Sequence, residues 1–403
     1  MFEKQIAGQI ERRLQEKALP ISVRLWDERE VKGTSAPKVT VSLRSPKQLA
    51  LLLNPNFSKI AESYVEQQID LDGQARDIAT LLAEYLSGTE TSVPSLSEKL
   101  GLSRHTKQSD KQAIASHYDV SNDFFFLWLD KRRVYSCAYF HKEHDTLEQA
   151  QEQKLDHICR KLLLKPGERL LDIGCGWGGL ILWAAEKYQV QATGITISEN
   201  QYAYVTEQVR QRGLQRLVQV RLMDYRDLPE TEPFDKIASV GMFEHVGIAN
   251  LPVYFRKIYS LLRPGGLVMN HGITSETFDD DENPGRGRDF IDRYVFPGGE
   301  LAHVSKVIEV MSREKLEVRD VESLRPHYAK TLWHWVERLE ANQGVARDLV
   351  GEKKYRIWRA YMAGFAVAFE RGWDCIYQIM AGRPHANGNL PLPLTREHIY
   401  RPR

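Results

Sequence analysis

The chain has 403 residues, 42% hydrophobic and 27% charged, and its 55 basic and 54 acidic side chains balance to a net charge of +1. This is ordinary globular material, long enough for two or three domains with sizeable cores and in need of no covalent staples. Four scattered cysteines without a C-x-x-C pair argue against disulfides and structural zinc and for a reduced cytosol. No apolar run approaches the about 18 residues of a membrane span, so any membrane contact is expected to be peripheral.

The near-zero net charge hides local excess. "SRHTKQSDK" (103–111), "DKRR" (130–133), "EKKYRIWRAY" (352–361) and "REHIYRPR" (396–403) are basic, the last two interleaved with aromatics. Each alone reads as a solvated face. Together they suit an anionic partner, either lipid headgroups or nucleic acid, and composition does not choose between them.

In chain order, Phe2, Ile6, Ile10 and Leu14 mark one face of a helix, and "ISVRLW" and "KVTVSL" alternate like half-buried strands. "SPKQLALLL" opens a helix with Ser45 as its cap and Pro46 at the first position, and "QARDIATLLAEYL" supplies another. Residues 1–90 thus form a small α+β module. Periodicity is lost from about residue 88, and 91–112 read as a linker to a second domain, 113–403. There strands and helices alternate: "RLLDIG" and a helix from Gly179, "VQATGI" and "SENQYAYVTEQVRQRG", "LVQVRLMD", "FDKIASV" and a helix around 249–262, then "GLVMNH". Such alternation predicts an α/β doubly wound, mostly parallel sheet, whose ligands lie beyond the carboxyl ends of the strands.

"LLDIGCGWGGL" sets Gly174, Gly176, Gly178 and Gly179 between the first of these strands and its helix, where a backbone without side chains lets a cofactor approach closely. A dinucleotide site would also need an acid at the end of the second strand, but "GITISENQ" offers Thr196, Ser198 and Gln201 there. The acids stand at Asp172, before the glycines, and at Asp224, after the third strand. That order resembles the S-adenosylmethionine-dependent methyltransferases. It implies a Rossmann-like class I methyltransferase sheet, with Gly174 and Gly176 at the amino acid moiety and Asp224 and Tyr225 at the adenine.

"HYDVSNDFFFLWLD", "YSCAYF", "LLDIGCGWGGL", "GITISENQ", "SVGMFEHVG" and "FIDRYVFPGGEL" follow one another over about 113–380. This order resembles the cyclopropane-fatty-acyl-phospholipid synthases and mycolic acid cyclopropane synthases, and the N-terminal module looks like the small lipid-associating domain of the phospholipid enzymes. The resemblance implies transfer of a methylene group from S-adenosylmethionine to the cis double bond of unsaturated acyl chains in membrane phospholipids. It implies a cytoplasmic enzyme peripheral to the inner face of the membrane, with no nucleic acid partner and no metal. The implied cofactor residues are Tyr135, Ser136, Asp172, Gly174, Gly176, Trp177, Gly178, Thr196, Ile197, Gln201, Asp224 and Tyr225. Cys137, Glu244, His271 and Tyr328 are the implied catalytic residues, and with Ile273 they would hold a bicarbonate ion that accepts the proton. Three alternatives stay open: a methyl or methylene branch without ring closure, a small-molecule methyltransferase, and a non-enzymatic lipid-binding protein. The oligomeric state is open too, with a homodimer among the options.

An alkene is a poor nucleophile, and methylating it leaves a carbocation that must lose a proton to close the ring. The chemistry needs an apolar tunnel, a proton acceptor, and aromatic faces that stabilise the cation by about 2 kcal/mol when desolvated. Candidates for those faces are Tyr135, Tyr139, Phe140, Phe243 and Tyr328. Since the alkene is the nucleophile, Cys137 is expected to be a small wall contacting the anion. Two positions depart from the family pattern: Phe365 stands where a cysteine is common, and Gly272 in "NHGI" replaces a threonine. "DDDENPGRGRDFIDRY" (279–294) reads as a lid.

Overall fold

The computed structural model describes residues 2–87, 121–278, 288–297 and 299–400. The expected linker, 91–112, and the first part of the expected lid, 279–287, lie outside the described residues. The remainder of that stretch forms the helix Arg288–Tyr294. Two compact units divide the chain. The first gathers the described residues of 2–87, 288–297 and 332–371, and the second those of 121–278, 299–331 and 372–400.

In the first unit the striped helix forms over Phe2–Glu16 and shares a core with a four-stranded sheet, where Ile10 and Leu14 meet Ile21, Val23, Val39 and Val41. The strands are β1 (Ile21–Arg24), β2 (Glu30–Lys32), β3 (Val39–Leu43) and β4 (Ile69–Asp72), in the order β2-β1-β3-β4. β2 and β4 were not expected from the sequence: β2 has only three residues, and β4 buries Ile69 alone, so neither shows the five-residue alternation seen in β3. Ser45 does stand before the short turn Pro46–Gln48, but it caps no backbone N–H; its hydroxyl donates to Gln48 Oε1 at 2.7 Å.

The helix Gln343–Arg371, broken at Gly351 where φ is +78°, belongs to this unit. It corrects the reading of "EKKYRIWRAY" as an interfacial patch. Arg356 pairs with Asp70 at 2.6 Å, Arg359 with Glu340 at 2.8 Å, and Tyr355, Trp358 and Tyr361 are buried. Only Lys353 and Lys354 of its cations are exposed. "DKRR" is likewise consumed internally, with Asp130 buried and Arg132 paired to Glu152 and Glu186.

The second unit is built on seven strands: β5 (Arg169–Ile173), β6 (Gln191–Thr196), β7 (Val218–Leu222), β8 (Phe234–Val240), β9 (Leu262–Ser275), β10 (Glu317–Ser323) and β11 (Asp374–Gly382). Their order is β10-β11-β9-β8-β5-β6-β7. The five strands from β9 to β7 are parallel, and β11 runs antiparallel between β9 and β10. One apolar core holds the helices Leu147–Lys161, Gly179–Tyr188 and Glu199–Gln211, and another holds Leu251–Leu261 and Val304–Arg313. The sheet is doubly wound, as expected. Strand order reverses between β5 and β8, the point at which such sheets bind ligands. Among the described residues, no helix is long and apolar enough to cross a membrane.

Candidate active site

A cavity opens at the carboxyl ends of β5, β6 and β8. β5 ends in Ile173, and Gly174, Gly176 and Gly178 then take φ of +79°, +53° and +82° before the helix Gly179–Tyr188 begins. Gly176 matters most for a ligand, because a Cβ there would meet open space on a conformation that side chains avoid. Gly178 serves packing instead, since a Cβ would press on Val205 at 3.0 Å. All the expected cofactor residues except Gly178 line the cavity.

Its walls are held from behind. Thr196 donates its hydroxyl to Gln201 Oε1 at 2.7 Å and accepts from Ser198 N at 3.1 Å, which fixes the turn after β6. Asp224 accepts from Arg226 N, Nε and Nη2 at 2.9, 2.8 and 2.7 Å, so its carboxylate is braced within its own turn. Trp177 donates to Asn122 Oδ1 at 2.9 Å and packs on Phe125, which in turn meets Tyr135. Buried Asp130 caps the loop leading to Tyr135 by accepting from Arg132 N and Val134 N. Gln151 donates to the carbonyls of Val134 and Ser136, and Lys154 donates to Ser136 Oγ at 2.8 Å.

Asp172 is 3% exposed, and its Oδ1 has no hydrogen-bond partner among the described residues. Burial pushes its carboxyl up to about 7 against the pull of Lys154. A buried acceptor beside an open glycine fits the charged amino acid end of S-adenosylmethionine. Sequence reasoning missed Gln151 and Lys154. Their signal was present, because both fall on the face of the helix Leu147–Lys161 that carries Ala150, Leu155 and Ile158, where a lysine is out of place.

The expected catalytic residues gather around β9. His271 and Ile273 alternate on that strand, and Glu244, in the short turn Phe243–His245, accepts from Ile273 N at 2.7 Å through Oε1. Ile376 on β11 lies opposite Ile273, and its carbonyl accepts from Leu324 N at 2.9 Å. The carbonyl of Leu324 receives the Cys137 thiol at 3.8 Å and the Tyr328 N–H at 3.0 Å. Register, two backbone bonds and the side-chain bonds of Glu244 and Cys137 thus link all five. Gly272 is now explained: a Cβ there would overlap the Phe243 ring and lie 2.8 Å from Glu244 Oε1.

Burial disfavours charge on each group of this cluster. The Cys137 thiol is fully buried and pushed far up, which removes it as a nucleophile. Glu244 rises to about 7, and its Oε2 has no partner among the described residues. His271 is pushed well down by burial, then by Lys154, Lys161 and His157. Gln378 Nε2 lies 3.2 Å from His271 Nδ1, and an amide nitrogen only donates. Nδ1 therefore accepts and Nε2 carries the proton, again with no partner among the described residues. The Cys137 thiol gives its one proton to the Ala138 or Leu324 carbonyl, which leaves Glu244 Oε2 and the His271 Nε2–H without a partner among the described residues. A protonated Glu244 and that N–H are both donors and fit a small oxyanion such as bicarbonate, which would supply a base.

The aromatic candidates divide. Tyr139 is stacked between His157 and His327, with centroids 4.1 and 4.6 Å away, and donates to Glu322 Oε1 at 3.0 Å. Phe140 packs on His327 beneath the Lys330 ammonium. Both are committed elsewhere. Tyr135 lines the cavity, while Phe243 and Tyr328 are buried. Phe365 packs between Tyr361 and Phe369 within the first unit.

Residues 105–379 match the family model described as mycolic acid cyclopropane synthetase, and 12–90 match a domain of unknown function. A probable fatty acid methyltransferase of Pseudomonas putida is 47% identical over 392 residues, 96% of this chain and 98% of its own length. Cyclopropane mycolic acid synthase 1 of Mycobacterium tuberculosis is 39% identical over 66% of this chain and 94% of its own. The solved cyclopropane synthase MmaA2 from Mycobacterium tuberculosis superposes with a TM-score of 0.65 at 35% identity, covering 68% of this chain and 98% of its own. Mycolic acid cyclopropane synthase CmaA1, complexed with SAH and CTAB, gives 0.64 at 37%, covering 67% and 97%. This chain belongs to the mycolic acid cyclopropane synthase family of S-adenosylmethionine-dependent methyltransferases.

Proposed function

We propose that the chain carries a one-carbon unit from S-adenosylmethionine to the cis double bond of unsaturated acyl chains in membrane phospholipids and closes a cyclopropane ring. The observation that carries this reading is the buried pair Glu244 and His271 beside Cys137, with Glu244 Oε2 and His271 Nε2 lacking a partner among the described residues. Glu244 lies between Met242 and His245, two residues of the cofactor cavity wall. A methyltransferase acting on an amine or hydroxyl needs no such shielded set. An alkene does, because its cation must survive until a base removes the proton.

In this reading Glu244 and His271 hold the proton acceptor, and the Tyr135, Phe243 and Tyr328 rings face the cation. Phospholipid acyl chains are presented only at a bilayer, so the enzyme works as a peripheral protein on the inner membrane face. A second reading, a methyl or methylene branch without ring closure, is favoured by the name of the Pseudomonas putida relative. The test is incubation with labelled S-adenosylmethionine and vesicles of monounsaturated phospholipid. A labelled lipid that has gained one CH₂ and lost its double bond supports ring closure. The same gain in a methyl- or methylene-branched product that keeps a carbon–carbon double bond selects the second reading, and unlabelled lipid refutes both.

A further inference from the structure

The cofactor donates its methyl group from a sulfonium, and a buried cation in the same cavity opposes that charge unless it serves another part of the ligand. Lys154 is such a cation. It is 2% exposed, lines the cavity, and forms no ion pair among the described residues. Its Nζ donates to Ser136 Oγ at 2.8 Å. An ammonium has only protons to give, so Ser136 Oγ accepts, and the hydroxyl proton is directed away from Lys154. Gln151 fixes this loop through the Ser136 carbonyl at 2.8 Å, and Ser136 also lines the cavity. Asp172 presents a buried Oδ1 without a partner among the described residues to the same space. The cavity is therefore lined by one positive, donating group and one accepting carboxyl, and the methionine half of the cofactor carries one carboxylate and one ammonium.

We propose that Lys154 is a positioning residue for the cofactor: it orients the Ser136 hydroxyl and lends it positive charge to receive the methionine carboxylate, while Asp172 receives the ammonium. This rests on the reading of the cavity as the cofactor site. Lysine here would set selectivity for the amino acid end, a role that a residue filling space would not have.

The test is calorimetric titration of the purified protein with S-adenosylhomocysteine and with 5′-methylthioadenosine, which keeps the nucleoside and lacks the amino acid. Lys154→Met is expected to weaken S-adenosylhomocysteine by about ten- to a hundred-fold, the range of a charge-assisted hydrogen bond, and to leave methylthioadenosine unchanged. Ser136→Ala, which keeps the lysine, should show the same selective loss, and the double variant should be no worse than the poorer single one. Equal weakening of both ligands by Lys154→Met, or no selective loss in Ser136→Ala, overturns the proposal. Asp224→Ala separates the underlying reading, because a cavity that holds the nucleoside must lose affinity for both ligands. If neither weakens, the cavity is not the cofactor site and the proposal falls with it.

Discussion

Replacing Glu244 by glutamine isolates the cost of keeping an acid buried beside β9. Glutamine retains an oxygen to accept from Ile273 N, now at 2.7 Å from Oε1, but cannot ionise. Burial raises the Glu244 carboxyl from its ordinary 4.5 to about 7. Between those values the native protein holds a proton that the unfolded chain has released, so Glu244 stabilises the fold least at high pH. The gap, at 1.36 kcal/mol per pH unit, amounts to about 3 kcal/mol. Asp172 is raised too, but it is present in both proteins and cancels. Urea denaturation without cofactor should find the two proteins similar near pH 5 and Glu244→Gln more stable by up to about 3 kcal/mol at pH 8. Turnover should fall by about 10²–10⁴-fold while cofactor affinity holds. A stability difference that does not change with pH, or a variant less stable at pH 8, would refute the argument.

Gly272→Ala places a methyl group against the buried Phe243 ring and the Glu244 carboxyl already bound to Ile273 N, and neither can retreat cheaply. It should cost about 1–3 kcal/mol and most of the turnover while S-adenosylhomocysteine affinity is kept; an unchanged melting temperature would show that the Phe243–His245 turn is free to move. Glu322→Gln strips a charge from Lys161, which is fully buried and 2.5 Å away. Asp320 remains 2.9 Å from Lys161, so the expected loss at pH 7 is about 2–3 kcal/mol, below a fully broken buried pair. Although burial alone would raise Glu322, His157 and Lys161 hold it down at about 2, so its contribution is present above pH 4.5 and lost as pH falls toward 2. Acid denaturation should therefore show a shallower slope in the variant, and an identical slope would remove Glu322 from that balance.

What could be read in advance was local. The glycine loop, the strands from β5 to β9 and the residues beside them depend on contiguous patterns, and the structure brings those residues together. What could not be read depends on partners far along the chain. Gln378 meets His271 across β11 and β9, and Lys161 is neutralised from β10. Neither glutamine nor lysine announces such a partner. The basic-aromatic stretch at 352–361 misled for the same reason, since Asp70 and Glu340 that consume its arginines are remote in sequence. Tyr139 was drawn away from the cavity by two histidines from separate helices.

β11 pairs with β9 along its whole length and separates it from β10. On a ribosome, β9 is finished long before β11 emerges, and its free edge must wait without recruiting a strand from a neighbouring nascent chain. His271 receives Gln378 only when that gap is filled. The surroundings of His271 thus mature late in biogenesis, and a stalled or truncated product ending before Asp374 would expose an adhesive β9 edge to the cell's quality-control machinery.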